Sequence, residues 1–241
     1  MRHIGILAHS AEGAALCFLA ACHEGEARLG AHDHPPISLV IAPLQASMAH
    51  WQALELAPIR MLFADTVRRL AASGAEFFVC PDNTAHLALE ADGEALALPG
   101  LHIAEVVAES AKARGFKRNG LLGTKWTMEG AVYPAAFARR GLEQRVPSAS
   151  ERADINAIIF DELVRGDFRD TSRARVTAMI ENLQRTGCDA VALCCTEIPL
   201  LIAENDSPLP ILDSTRLLAK AAVAVALGDT PFPAWRGGKV A

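Results

Sequence analysis

Aromatic residues are scarce in this chain of 241 residues: they make up 5 %, with a single tyrosine. Recognition of nucleic acid by base stacking therefore has little material to work with. Clusters of basic residues are missing too, and the formal net charge is −5, which argues against a phosphate-backbone partner. No apolar run reaches the ~18 residues of a membrane-crossing helix, so no membrane partner is expected. Residues 13–22 are apolar and follow Arg2, as in a secretory leader. His9, Ser10 and Glu12 interrupt that segment, however, and Ile4 to Ala8 reads better as a first strand. The six cysteines (Cys17, Cys22, Cys80, Cys188, Cys194 and Cys195) lie mostly in apolar segments and show no paired CxxC spacing. Reduced thiols in the cytoplasm are expected, and no zinc site. His32-Asp33-His34 stands before two prolines and reads as a solvated turn rather than a ligand set. There is no GxGxxG and no P-loop. The expected inventory of metals and cofactors is therefore none.

What is present is an internal repeat. Ser73-Gly74-Ala75-Glu76-Phe77-Phe78-Val79-Cys80-Pro81-Asp82-Asn83-Thr84 lies over Thr186-Gly187-Cys188-Asp189-Ala190-Val191-Ala192-Leu193-Cys194-Cys195-Thr196-Glu197 without a gap. Gly74 to Gly187 and Asp82 to Cys195 are the same 113 positions apart. Glycine, acid and four apolar residues read as helix stop, loop and buried parallel strand. The polar residues then fall at the strand's C-terminal end, where open α/β sheets bind ligands. Asp82 and Cys195 are the reactive side chains at these two ends. As a mere helix cap, Asp82-Asn83-Thr84 would leave the matching Cys195 unexplained.

The repeat extends further. Gly120-Leu121-Leu122-Gly123 echoes Gly5-Ile6-Leu7-Ala8, and Thr124-Lys125-Trp126-Thr127 follows it as His9-Ser10 follows the first strand. Ser10 is a candidate ligand contact or a helix N-cap. Helices are expected over 13–29, 57–73, 104–114, 171–185 and 214–227, with one from about Met128 that carries Tyr133 and one from Ser148 or Ser150 to Arg165. Residues 43–56 read as a loop, either a lid or a connection. The tail from Gly228 reads as turn-rich and loose. The fold expected is α/β, with two pseudo-symmetric βαβ-type domains, parallel sheets and an active site in the cleft between them. Residues 1–115 with 216–241 form the first domain and 116–215 the second.

Asn83-Thr84-Ala85-His86 after one strand and Cys195-Thr196-Glu197 after its repeat resemble the aspartate/glutamate racemase superfamily. The likeness covers nearly the whole chain, including Asp161-Glu162-Leu163 with Arg165 and Gly166, and Asp213-Ser214-Thr215. The resemblance implies a cofactor-independent amino-acid racemase or epimerase acting on a small carboxylate, commonly as a homodimer. In such enzymes one thiolate takes the Cα proton from one face and a second thiol returns a proton to the other. Residue by residue, it implies that Asn83, Thr84 and Thr196 bind the substrate carboxylate. Thr124 and Thr127 support it, and Arg165 lies near the distal group. Backbone N–H groups at the two helix starts add to this anion site. Relatives that decarboxylate or isomerise small dicarboxylic acids leave those activities open, as they leave a binding protein without turnover.

This chain departs from the pattern by carrying Asp82 where the first cysteine is expected. Cys80, two residues earlier, reads as a buried structural thiol, and alternation turns Cys194 away from Cys195 into packing. His86 reads as a satisfied helix-turn histidine, and Trp126 and Tyr133 as packing. Glu197 either orients Thr196 and Cys195 or opens the helix favourably. Ordinary values near 3.9 for Asp and 8.5 for Cys put carboxylate plus thiol roughly 6 kcal/mol below carboxylic acid plus thiolate. A two-base racemase needs both states. Without tuning of Asp82 by burial or of Cys195 by its surroundings, chemistry in one direction is favoured.

Overall fold

The computed structural model describes residues 1–233. In chain order, β1 (Ile4–Ala8), α1 (Ala11–Leu29), β2 (Ile37–Ile41), α2 (Gln45–Ala53), α3 (Leu56–Ala72), β3 (Phe77–Val79), α4 (Ala85–Glu90) and β4 (Gly100–Leu101) come first. Then follow α5 (Ile103–Ala113), β5 (Arg118–Gly123), α6 (Lys125–Glu129), α7 (Val132–Ala138), β6 (Glu143–Arg145) and α8 (Ala149–Asp161). The chain ends with α9 (Asp170–Arg185), β7 (Ala190–Cys194), α10 (Ile198–Leu201), β8 (Ile211–Asp213) and α11 (Ser214–Leu227).

The strands form two four-stranded sheets, in the orders β2-β1-β3-β4 and β6-β5-β7-β8. Every pairing is parallel. The two orders are the same topology used twice, and β3 and β7 are the two matching segments of the repeat. Each is buried along its whole length. The helices before them stop at Gly74 (φ 93°) and Gly187 (φ 89°), left-handed positions that an L side chain resists.

The chain divides into two compact units, residues 1–103 with 218–241, and residues 104–217. The boundary at 115/116 expected from the sequence lies on the other side of α5. That helix groups with the second unit, where Arg114 donates to the Ile211 carbonyl at 2.9 Å and Glu105 pairs with Arg139 and Arg140.

In the first unit α3 turns Ile59, Phe63, Val67 and Leu70 into a core with Leu7, Phe78 and Leu89. Arg60, on the same helix, is fully buried. It donates to the carbonyls of Glu94 (3.0 Å) and Leu89, fastening the turn after α4. In the second unit Ile155, Ile158 and Ile159 of α8 meet Val176, Ile180 and Leu183 of α9 over Leu122, Val191 and Leu193.

Four local expectations need correction. Residues 43–56 are not a loop, since α2 occupies most of them. The helix expected from Met128 through Tyr133 is two, α6 and α7, broken at Gly130. The helix expected to run to Arg165 ends at Asp161, and a 3-10 turn covers Leu163–Arg165 before Gly166. Leu101-His102-Ile103, which reads from the sequence as a short strand, gives one strand residue, Leu101, and the start of α5. Most of the tail expected to be loose lies outside the described residues.

Candidate active site

The first key strand ends in Cys80-Pro81-Asp82-Asn83-Thr84. Asp82 Oδ1 accepts the Ala85 backbone N–H at 3.1 Å, so Asp82, not Thr84, supplies the side-chain acceptor at the start of α4. The helix-cap reading is thus partly true. Its other oxygen, Oδ2, lies 2.5 Å from His9 Nδ1. His9 is 5 % exposed and the Asp82 side chain 19 %. The imidazole stands edge-on to Phe63 (5.2 Å between ring centres) and beside Trp51. Its Nε2 lies 2.9 Å from Ser47 Oγ and 3.4 Å from Trp51 Nε1. Burial would raise the Asp82 pKa. The charge and hydrogen bond of His9, with the Ala85 N–H, outweigh it and hold the carboxyl below its ordinary range.

Sequence reading singled out Ser10 and passed over His9. The signal lay in the register. β1 pairs with β3 as Ile4↔Phe77, Gly5↔Phe78 and Ile6↔Val79. The same spacing carried three residues on sets His9 beside Asp82. Ser10 is half-buried at the N-cap of α1, but its hydroxyl makes no capping bond.

His86 is fully buried. Its Nδ1 donates to the Asp82 carbonyl (2.9 Å) and its Nε2 accepts the Ile103 N–H (3.3 Å). Burial first, and His102 second, bring its pKa down to about 3. It is a satisfied, neutral turn histidine. Cys80 is fully buried, and burial and the Asp82 charge push its thiol well up. Asn83 is buried, and Thr84 is half-buried.

The second key strand ends in Cys195-Thr196-Glu197. Cys195 is 7 % exposed, and its Sγ donates to Glu197 Oε2 at 3.0 Å. The Thr196 hydroxyl donates to the same oxygen at 2.9 Å. The other carboxylate oxygen, Oε1, is buried with no hydrogen-bond partner among the described residues. Glu197 Oε2 is thus a shared acceptor for both neighbours. Cys194 faces away, buried, with its thiol pushed up by burial against a hydrogen bond from Tyr133.

Register repeats the logic of the first unit. β5 pairs with β7 up to Gly123↔Cys194, so Thr124 follows beside Cys195 as His9 does beside Asp82. A Cβ on Gly123 would stand 2.7 Å from the Cys194 carbonyl oxygen, so glycine lets the two strand ends approach. Thr124 Oγ1 accepts the Thr127 N–H (3.3 Å) and lies 3.1 Å from Thr127 Oγ1. Both threonines are buried. Arg165 is exposed on the 3-10 turn, and its guanidinium makes no ion pair among the described residues. Asp213 caps α11 by accepting the N–H groups of Thr215 and Arg216 at 3.0 Å. Glu162 accepts from Ser172 at 2.5 Å.

A model of the Asp/Glu/Hydantoin racemase family matches residues 16–222. The chain belongs to this family. Racemases are isomerases, so it is a member of an isomerase family. Among its relatives is the broad specificity amino-acid racemase RacX of Bacillus subtilis (strain 168). The two are 27 % identical over 163 residues, 68 % of this chain and 70 % of RacX. A solved structure from Yersinia pestis, provisionally described as an Asp/Glu racemase, is 29 % identical with a TM-score of 0.82. The match covers 94 % of this chain and 100 % of that one. The fold is also that of an aspartate racemase homologue from Pyrococcus horikoshii OT3. That chain is 24 % identical, with a TM-score of 0.78, and 94 % of this chain and 100 % of the other are covered.

Proposed function

We propose that this member of the racemase family inverts the Cα centre of an amino acid or a closely related small carboxylic acid without a cofactor, with Asp82 and Cys195 as its two proton carriers. One observation supports the reading above the others. The same four-stranded topology occurs twice, and each copy ends its key strand in an acid–base pair, His9 with Asp82 and Glu197 with Cys195. In one direction the Asp82 carboxylate takes the Cα proton. The C–H electron pair passes into the substrate carboxylate as an enediolate, and the Cys195 thiol protonates carbon on the opposite face. The resulting thiolate recovers a proton from solvent or through Glu197. In the other direction the thiolate abstracts and protonated Asp82 donates.

Asn83, Thr84, Thr127 and Thr196 bind the substrate carboxylate, with Thr124 fixing Thr127 and Ser10 at the edge. Arg165, whose guanidinium is not committed to an ion pair among the described residues, serves a distal acidic group. We read the enzyme as a cytoplasmic homodimer. The six free cysteines support the compartment. Size-exclusion chromatography with light scattering checks the dimer.

Proton NMR in deuterium oxide tests the function. L- and D-amino acids and a few dicarboxylates are screened with the wild type, Cys195→Ala and Asp82→Asn. Exchange at Cα with inversion, in which either variant loses inversion, supports the two-base reading. Exchange without inversion, lost only in Cys195→Ala, replaces it with one-base chemistry. No exchange on any substrate sinks it.

A further inference from the structure

The proposed mechanism leaves Asp82 with a difficulty. A lone carboxylate has no proton to return near neutral pH, and yet inversion requires it to return one. The surroundings of His9 resolve this. Its Nδ1 is committed to Asp82. Its Nε2 faces two groups of opposite character, the indole N–H of Trp51 and the Ser47 hydroxyl oxygen. Ser47 Oγ also donates to the Leu44 carbonyl at 3.0 Å, which leaves its lone pairs toward His9. A bare Nε2 accepts from Trp51, and a protonated Nε2 donates to Ser47. The pocket thus accommodates the ring with one proton or with two. That is unusual for a histidine at 5 % exposure, because a buried ring normally has one tautomer fixed by one partner on each nitrogen.

We propose that His9 and Asp82 form a single acid–base couple, in which His9 is the positioning residue that stores the proton Asp82 takes from Cα and gives back. The inference rests on the racemase reading above. In the unprotonated couple, neutral His9 holds its proton on Nε2, donated to Ser47 Oγ, and Nδ1 faces Asp82 Oδ2 as the free site of the ring. When Asp82 removes the Cα proton, the C–H bond breaks and an O–H bond forms on the carboxyl. The couple then holds one added proton. It can reside on Asp82, or pass across the short contact to Nδ1 with the carboxylate restored. In the return step Nδ1–H passes to Asp82, leaving His9 neutral with its proton on Nε2 against Ser47, and Asp82 protonates the substrate carbanion. The count is one proton in and one out, and no redox partner is needed.

The other titratable groups near the couple do not compete for that proton. His86, on α4, is held neutral and hydrogen-bonded at both nitrogens. The Cys80 thiol is pushed up by burial and by Asp82 itself. From α2 and α3 the ring meets Ser47, Trp51 and Phe63, none of them acidic or basic.

His9→Asn tests the couple, because the asparagine amide can keep an N–H donor toward Asp82 but cannot hold the proton. Two enantiomers of equal free energy must interconvert with equal kcat/KM in both directions, so the loss cannot be confined to one direction. The discriminating readout is Cα exchange against inversion. The expected result is a fall in inversion of about 10²-fold or more. Exchange of the enantiomer whose Cα–H faces Cys195 stays within about tenfold of wild type, and one limb of the pH profile of inversion disappears. Circular dichroism and a thermal melt check that the variant folds. Nitrogen-15 NMR of the wild-type imidazoles reads the couple directly, whatever the variant's stability. Nε2 of His9 should stay protonated while Nδ1 gains and loses its proton, and Asp82→Asn should move that change. Wild-type inversion with an unchanged pH profile in His9→Asn overturns the inference and leaves the racemase reading standing. A His9 ring that never takes a second proton overturns it as well. A titrating couple in a wild type that exchanges no substrate proton overturns the racemase reading instead.

Discussion

The four cysteines nearest the two strand ends differ in what surrounds each sulfur. Cys80 and Cys194 are fully buried, and burial raises both thiols. Among the described residues, Cys195 is the one of the four with a carboxylate as acceptor, Glu197 Oε2 at 3.0 Å. Cys188, also buried, lies at the far end of its strand. In the folded protein, iodoacetamide at about pH 8 should therefore leave Cys80 and Cys194 unlabelled, and all six cysteines should label after unfolding. Peptide mass spectrometry reads the difference, and rapid native labelling of Cys80 would contradict its assignment as a structural thiol. Glu197→Gln keeps the side chain's size but removes the ionisable carboxylate beside the thiol. Inversion should fall by about 10²-fold, with little change in KM. A KM that rises while kcat holds would move Glu197 from the proton path to substrate binding. The places of Asp82, Cys195 and Glu197 just past their strands were legible in the sequence because the repeat aligned them. His9 was not, since its partner lies across a strand pairing whose register no local pattern prints.

Elements were legible where their ends carry chemical punctuation. Gly74 and Gly187 stop α3 and α9 at φ 93° and 89°, and both stops were visible as glycine followed by acid and an apolar run. The second has a further constraint, because a Cβ there would meet the Arg118 guanidinium at 2.7 Å. Gly74→Ala and Gly187→Ala should each destabilise by about 1–2 kcal/mol, the cost of holding an L side chain in that region. Urea unfolding should show a lower midpoint with an unchanged slope. A midpoint within error of wild type would mean that the backbone relaxes out of the left-handed region. By contrast, α2 gave no signal. It has Leu44 at its N-cap with no capping bond, and only Ser47 and Trp51 are buried. Two buried positions four apart are too few to print a helical stripe. Their burial has a local reason, since those two side chains hold His9.

At the scale of the molecule, the chain builds one parallel sheet order twice and ends each key strand in an acid–base pair. The fold class followed from the repeat alone. The boundary between units did not, because α5 is amphipathic whichever unit it joins. Stability of the whole fold carries its own pH signature, traceable to His86. Its folded pKa is brought down to about 3 from an ordinary 6.5, with burial the first cause. Between those values the unfolded chain binds the proton and the native protein does not. Stability from this group is therefore complete above about pH 6.5 and falls as the pH drops toward 3, by up to about 1.4 kcal/mol per pH unit. His86→Gln should cost stability at pH 7 through its lost hydrogen bonds to Asp82 and Ile103. It should also show a shallower loss between about pH 6 and 4 than wild type. Urea midpoints at three pH values measure both slopes. Parallel slopes for the two proteins would show that His86 takes its proton without unfolding the chain. The neutral histidine would then be a consequence of the fold rather than one of its supports.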